Sequence, residues 1–225
     1  EQLCEDEKGH VATYRLLVNI YQDISDVRLD INDPAMARAA LDKAEGVLVA
    51  GMAQYPDSVR LREDAGQLAR RIGYSLREDA PQKPLEKQLE SLAIFTELAQ
   101  ADQGNHEAQH NLGWGHYCVA LSLADTDQVE MALDHLGQGW QIIVVQCSRN
   151  PNDARARNTV TLYLDELVLL HDHLQAVDQV PTRCREAVLV LQPVIETNPD
   201  NIAMEAILDR IRVVMRTSLA SASKS

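Results

Sequence analysis

Turn-forming segments recur along the chain at almost constant spacing, and this period constrains the fold more than any other feature of the sequence. From Pro56 to Gln103 is 47 residues, and the next two intervals, to Pro151 and then to Pro199, are 48 residues each. A fixed period of this length indicates a stack of similar units, each packed against its neighbours. The segments themselves are 55–58 (YPDS), 102–105 (DQGN), 150–153 (NPND) and 198–201 (NPDN).

Within each unit the apolar residues have the spacing of helices. They recur three and four positions apart, the chain contains a single Phe, and alternating β-branched runs are scarce. We therefore predict an all-α fold of about nine helices, over 10–28, 34–54, 58–78, 84–101, 105–124, 128–149, 152–175, 181–197 and 201–219. We expect one domain over 1–225, with repeats over 10–56, 57–103, 104–151 and 152–199, a capping helix over 200–219 and a disordered tail over 220–225.

When the four units are aligned, two columns of equivalent positions predict how the helices of a pair pack. A small residue lies twelve positions before each turn, where it lets two helix backbones approach closely; these residues are Ala44, Ser91, Gly139 and Ala187. A large apolar residue lies eight positions before each turn, namely Leu48, Phe95, Ile143 and Leu191. After the turns, Asp, Ser or Asn stands where a side-chain oxygen can cap the next helix.

These columns resemble the A-x3-F…P half of the tetratricopeptide repeat (TPR). Tyr14, Leu17 and Tyr21 are similar to its W-x2-L-G-x2-Y half, and Leu112 with Gly113 repeats part of that half. The resemblance implies a right-handed superhelical solenoid of antiparallel helix pairs. Because a usual TPR unit has 34 residues, we expect the extra residues of each unit to lengthen its helices.

One unit has a closer resemblance. Residues 85–102, followed by 104–105 and 108–112, resemble TPR arrays found C-terminal to bacterial serine/threonine protein kinases. This resemblance implies a regulatory or docking region of such a kinase. The chain has no Gly-rich loop, H-R-D or D-F-G segment, so no kinase activity is implied.

A second motif points to a different function. Residues 106–116 read HEAQHNLGWGH and match H-E-x-x-H-x-x-G-x-x-H, the signature of metzincin zinc proteases. That resemblance implies a general base at Glu107 and zinc ligands at His106, His110 and His116.

The apolar pattern around this motif favours an ordinary helix. A metzincin needs its helix to stop at Gly113 so that the third His can turn back, whereas here the apolar spacing continues through Tyr117 to Leu123. In an unbroken helix His116 is rotated by about 120° from His110. We therefore expect no metal, no cofactor and no catalytic residue, and we keep a zinc metallopeptidase as the alternative.

Composition limits the class of partner. The chain has 34 acidic and 21 basic residues and a net charge of −13, which disfavours nucleic acid and anionic membranes. No apolar run approaches the roughly 20 residues that cross a bilayer. The four cysteines form no C-x-x-C pair, as is typical of a reduced, cytoplasmic protein.

The repeat resemblance also implies where a partner would bind. The first helix of each pair lines the concave face of such arrays, which gives the candidate residues Arg15, Asn19, Arg60, Glu63, Arg70, His110, Trp114, Tyr117, Arg155 and Asn158. Trp114 and Tyr117 form the expected hot spot, unless Trp114 packs on a neighbouring repeat. Arg15 and Asn19 are spaced like part of a TPR carboxylate clamp, but Asp64 stands where the clamp has Asn.

These observations predict a non-catalytic interaction module that binds another protein or a peptide. A self-associating architectural array is the second alternative, after the zinc metallopeptidase. The sequence leaves the oligomeric state open.

Overall fold

A computed structural model describes residues 2–76 and 82–150 without a break, including the side chains of 10–76 and 84–150. Beyond these ranges it describes separate positions, every one of them helical: 155, 158–160, 162, 163, 166, 182, 185, 186, 188, 189, 192, 196, 206, 209, 211–213 and 216. The predicted all-α class is confirmed, and residues 2–76 and 82–150 contain no strand.

Six helices occupy the continuous ranges. They are α1 (Gln2–Asp30), α2 (Pro34–Gln54), α3 (Val59–Ser75), α4 (Gln82–Ala101), α5 (His106–Ala124) and α6 (Val129–Arg149). Four of the predicted helices, 34–54, 84–101, 105–124 and 128–149, agree with the structure to within two residues at each end. The helix predicted over 10–28 begins earlier, at Gln2, because the charged residues that precede the apolar pattern include good helix formers such as Glu and Lys.

Several predictions lie wholly or largely outside the described residues. These are the helices over 152–175, 181–197 and 201–219, the turn at 198–201, the tail over 220–225, and the column residues Ala187 and Leu191. The helix predicted over 58–78 is shorter in the structure, because α3 ends at Ser75 and Leu76 lies in a turn. The expectations of one domain over 1–225 and of a right-handed superhelix stay predictions.

Side chains cap the helices where the sequence predicts. Asp33 accepts a hydrogen bond from the backbone N–H of Met36 at 3.2 Å, directly before the proline that opens α2. The Ser58 hydroxyl accepts one from the N–H of Leu61, and the Asn105 side chain accepts one from the N–H of Ala108 at 3.0 Å. Each bond satisfies a donor that the helix itself leaves free.

Chain contacts group the residues into two compact units, Glu1–Ala108 and Gln109–Ser225. In the first unit α1 packs on α2, α3 packs on α4, and α3 also contacts α1 and α2. Tyr14 of α1 lies against Gly51 near the end of α2, as antiparallel pairing requires. The core of this first unit is formed by Val18, Leu41, Ala44, Leu48, Leu61, Leu68 and Ile72.

The two packing columns are confirmed for the first three repeats. The small residues Ala44, Ser91 and Gly139 are buried, and so are the large residues Leu48, Phe95 and Ile143. Two of the large residues, Phe95 and Ile143, pack on a glycine of the preceding helix. A Cβ built on Gly66 would lie 2.8 Å from the Phe95 ring, and one built on Gly113 would lie 2.6 Å from Cδ1 of Ile143.

The second unit adds aromatic and polar contacts to this pattern. The Tyr163 hydroxyl donates a hydrogen bond to the carbonyl oxygen of Gly113, and it fills the space beside Gly139, where a Cβ would overlap it. The indole N–H of the buried Trp140 donates to the Glu186 carboxylate at 2.7 Å. Gly113 is therefore a packing position inside a continuous helix, as the repeat predicts.

We expect Gly113→Ala to lower the free energy of unfolding by roughly 1–3 kcal/mol, because the added methyl group collides with Ile143. Ile143→Val removes the Cδ1 atom, so the double variant should recover part of that loss. Chemical denaturation of the two single variants and the double variant measures this coupling.

Gly137→Ala is the matched control. Gly137 is also in a helix, but a Cβ there meets no atom within 4 Å. The control should gain about 0.5–1 kcal/mol from helix propensity alone. Equal effects at Gly113 and Gly137 would show that Gly113 is not a close-packed position.

Candidate functional site

The first unit contains an open groove of about 910 Å³ between α1, the turn after α2 and the start of α3. Three of the predicted partner-binding residues, Arg15, Asn19 and Arg60, line it. Apolar and polar side chains are mixed in its walls, as is usual for a site that buries a ligand and also orients it. The other lining residues are Val11, Ala12, Leu16, Gln54, Tyr55, Pro56, Asp57 and Ser58.

Hydrogen bonds between α1 and the end of α2 hold one wall of the groove. The Tyr55 hydroxyl lies 3.0 Å from Nδ1 of His10, and the Tyr14 hydroxyl donates to Oε1 of Gln54 at 2.9 Å. The rings of Tyr14 and Tyr55 meet edge to face, with centroids 6.3 Å apart. The amide oxygen of Gln54 is bound in this way, whereas its two N–H donors have no hydrogen-bond partner among the described residues.

Arg15 is held in place by an ion pair. Its Nε and Nη2 atoms donate to the two carboxylate oxygens of Asp64, at 2.7 and 3.1 Å. The hydrogen bond to Asp64 raises the pKa of Arg15, with burial opposing the shift. Asp64 therefore neutralises the guanidinium of Arg15, and Arg15 serves to position the groove wall rather than to bind an anion.

Four exposed polar residues line the groove, namely Asn19, Gln54, Asp57 and Arg60. Two of them, Asn19 and Arg60, are partner-binding residues that the sequence predicts. Neither has an ion-pair or hydrogen-bond partner within the described part of the chain. Arg60 lies in the first turn of α3, and Asn19 lies one helical turn beyond Arg15 on α1. They supply one positive charge and one amide that are available to a ligand.

Two further candidates of the first unit lie along α3. Glu63 is half-buried and accepts a hydrogen bond from the Asn105 amide at 3.5 Å. Arg70 is also half-buried, and its backbone carbonyl accepts a hydrogen bond from Gln88. Neither residue lines the groove.

The expected hot spot lies in the second unit, where its rings pack on each other. Trp114 and Tyr117 are half-buried with ring centroids 5.2 Å apart, and Tyr117 also contacts the buried Tyr163 at 5.3 Å. Burial raises the pKa of Tyr163 well above its usual value. These three aromatic residues form one cluster, and this packing within the second unit buries part of the Trp114 side chain.

The remaining candidates differ in exposure. His110 is buried on α5, whereas Arg155 and Asn158 are exposed. The backbone carbonyl of Arg155 accepts a hydrogen bond from Thr159. The groove does not include these three residues.

The arrangement of the metzincin-like residues does not fit a zinc protease. Helix α5 runs without interruption from His106 to Ala124, so no chain reversal occurs at Gly113. His106 is exposed and His116 is buried against α6. Within the described residues no group of three His, Cys, Asp or Glu side chains is placed to hold a metal ion.

His116 pairs with a residue that sequence reasoning did not single out. Its Nδ1 lies 3.0 Å from Nδ1 of His135 on α6. Burial lowers the pKa of His116 to about 4, His135 adds to this shift, and Asp134 opposes it. Burial also lowers the pKa of His135. In the neutral pair one Nδ1–H donates to the other Nδ1, whereas protonation of both rings would place two positive charges in contact.

Sequence reasoning also missed most of the groove wall. The segment 55–58 was identified as a turn, but the pattern gave no sign that Tyr55 and Gln54 would face Asn19 across open space. A signal did exist, because Tyr55 is the only aromatic residue in the four turns, and an aromatic residue at a surface turn often contributes to binding.

We expect the free energy of unfolding to fall as the pH decreases from the unfolded-state pKa of His116 to its folded-state pKa. Its folded-state pKa of about 4 lies below the unfolded value of about 6.5. The unfolded chain therefore binds more protons between about pH 6.5 and about pH 4, and the free energy of unfolding should fall by roughly 2 kcal/mol across that window.

Urea unfolding at a series of pH values measures this loss, with His116→Gln as the test variant and His106→Gln as the matched control. The first variant should lose most of its pH dependence over this window relative to the wild type, since Gln does not titrate. The exposed His106 should leave the dependence unchanged. Identical pH profiles for all three proteins would rule out the His pair as the source.

No helix in residues 2–76 and 82–150 combines the length and the hydropathy needed to cross a membrane. Among the described cysteines, Cys118 and Cys147 are buried.

Comparison with known proteins gives similarity to solved helical structures only. No known protein family and no curated protein matches the chain. MamA is similar at 16% identity and a TM-score of 0.46, over 92% of this chain and 93% of MamA. BtubC from P. vanneervenii is similar at 12% identity and a TM-score of 0.43, over 95% and 92%. A "DHF58 filament" chain is similar at 14% identity and a TM-score of 0.38, over 96% and 99%. At these TM-scores none of the three similarities carries a functional argument.

Proposed function

We propose that this chain is a non-catalytic interaction module whose first unit binds a peptide segment of another protein in the groove. The observation that supports this most directly is the convergence of Arg15, Asn19 and Arg60. Helical phase predicts these three residues as partner-facing, and they lie in one concave space with a volume suited to several side chains.

The chemistry of the groove suggests the kind of peptide. Leu16 and Tyr55 offer apolar contact, and the amides of Asn19 and Gln54 can bind the polar backbone of an extended segment. Arg60 offers a charge-assisted hydrogen bond to an acidic side chain. A peptide with an apolar residue next to an Asp or Glu satisfies all of these groups.

A second part of the proposal concerns the larger protein that contains this module and the compartment in which it works. We propose that the module is the regulatory C-terminal part of a bacterial signalling kinase and works in the cytoplasm, with no nucleic acid or membrane as partner. The similarity of residues 85–112 to kinase-associated TPR arrays supports the first part. The net charge of −13 and the absence of a C-x-x-C pair in the sequence support the second.

We expect Arg60→Ala and Asn19→Ala each to weaken peptide binding about tenfold, as truncation of a central interface residue does. The probe is a peptide selected from a displayed random library against the full chain. Its dissociation constant is then measured by fluorescence anisotropy for each variant. The selected sequences should be enriched in Asp or Glu beside an apolar residue.

Arg149→Ala provides the matched control, because Arg149 is an exposed arginine at the end of α6, far along the chain from the groove. It should bind the peptide as the wild type does. If selection gives no peptide that competes at the groove, or if Arg60→Ala and Arg149→Ala bind equally well, the proposed site is wrong.

A further inference from the structure

Helix α1 exposes an apolar stripe that neither the core nor the groove explains. Five large side chains of this stripe are between 40 and 61% exposed. They are Leu17, Ile20, Ile24, Val27 and Ile31, which lies just past the end of the helix. Leu16, which is 59% exposed, borders the stripe where it meets the groove. Apolar side chains gathered on one helix face mark an interaction surface more often than single exposed ones do.

The stripe faces away from the core of its own unit. At 100° per residue its members fall within about 80° of the helix circumference. The opposite face of α1 carries Val18, Gln22 and Ser25, all of them buried. α1 thus has a buried face and, opposite it, an exposed apolar stripe, and packing within the first unit covers only the buried face.

The spacing of the stripe is that of a coiled-coil seam. Its members follow one another at intervals of three, four, three and four residues, which is the a/d pattern of a heptad repeat. Leu17, Ile24 and Ile31 occupy the a positions, and Ile20 and Val27 occupy the d positions. A helix packed inside a globular unit needs a wider and less regular stripe, so this spacing indicates a partner helix.

We propose that this seam binds the α1 helix of a second copy of the chain, so that the protein is a dimer through paired α1 helices. A two-fold interface uses the same patch on both subunits, and the a and d positions of α1 from Leu17 to Val27 are all apolar and suited to face their own equivalents. A second copy of the chain therefore supplies a matching partner helix, so a different protein with such a helix is not required.

Charges beside the seam favour a parallel pair. Asp23 lies at a g position and Arg28 at the following e position, and in parallel coiled coils these two positions face each other across the interface. Two such pairs of opposite charge would form, one on each side. Among the described residues the side chain of Arg28 makes only a long contact of 3.6 Å with Asp33, and both side chains are more than a third exposed.

The exposed apolar area of the stripe and of the neighbouring Leu16 is compatible with a homodimer interface. Six side chains at this exposure present on the order of 400–500 Å² of apolar surface, at the level of the largest patch of a typical monomer. A standard homodimer interface takes about 800 Å² from each subunit, of which about 65% is apolar. The stripe thus supplies most of the apolar part of one such interface.

Sedimentation equilibrium of the full chain over a range of concentrations tests the proposal. The wild type should sediment as a dimer that dissociates on dilution, and Ile24→Glu should raise the dimer dissociation constant roughly a hundredfold or more, because it buries two like charges at the centre of the seam. Val49→Glu is the matched control, since Val49 is also an apolar, exposed residue but lies on α2, outside the stripe. It should remain a dimer.

A charge exchange tests the orientation. Asp23→Arg alone should weaken the dimer, and adding Arg28→Asp should restore it, since the exchanged pair again has opposite charges. Failure of the double variant to recover would overturn the parallel arrangement.

A wild type that stays monomeric at every concentration, or equal dissociation constants for Ile24→Glu and Val49→Glu, would overturn the proposal itself. Far-UV circular dichroism confirms that each variant is folded, and Arg60→Ala, which tests the groove, should leave the dimer unchanged.

Discussion

The structure depends on one repeated contact, in which a large apolar side chain of the second helix of a pair fills the space left by a glycine of the first. Phe95 lies over Gly66 and Ile143 lies over Gly113, at positions one period apart. Because a glycine lets the two backbones approach, the large side chain reaches full burial. A dispersion contact of this kind is weak for each pair of atoms and strong in sum, and it sets the distance between the helices of a pair in both units.

That contact also decides between the two functions suggested by the segment 106–116. In a zinc protease the glycine would let the chain turn back, whereas here it lies under Ile143 within a straight helix and accepts a hydrogen bond from Tyr163. His116 is consequently directed at His135 on the neighbouring helix. The same residues match a catalytic signature and a packing column, and the surrounding apolar pattern determines which one they form.

Much of the fold could be predicted because its determinants are local. Helix bounds follow from capping residues such as Ser58 and Asn105, and the buried columns follow from the period. The groove could be predicted only in part. The four-residue spacing of Arg15 and Asn19 places both on one face of α1. The ion pair of Arg15 with Asp64 and the position of Tyr55 in the groove wall depend instead on how two helices and a turn meet. The aromatic cluster of Trp114 depends on a tyrosine 49 residues further along the chain.

The long repeat has a consequence for mechanical stiffness. A 21-residue helix such as α2 or α6 is about 31 Å long at 1.5 Å per residue, and each additional turn adds another layer of contacts along the same pair. Bending such a pair would have to disturb every layer at once. A chain built from these units should therefore yield at its turns before it yields within its helix pairs, and it would present any bound segment on a comparatively rigid support.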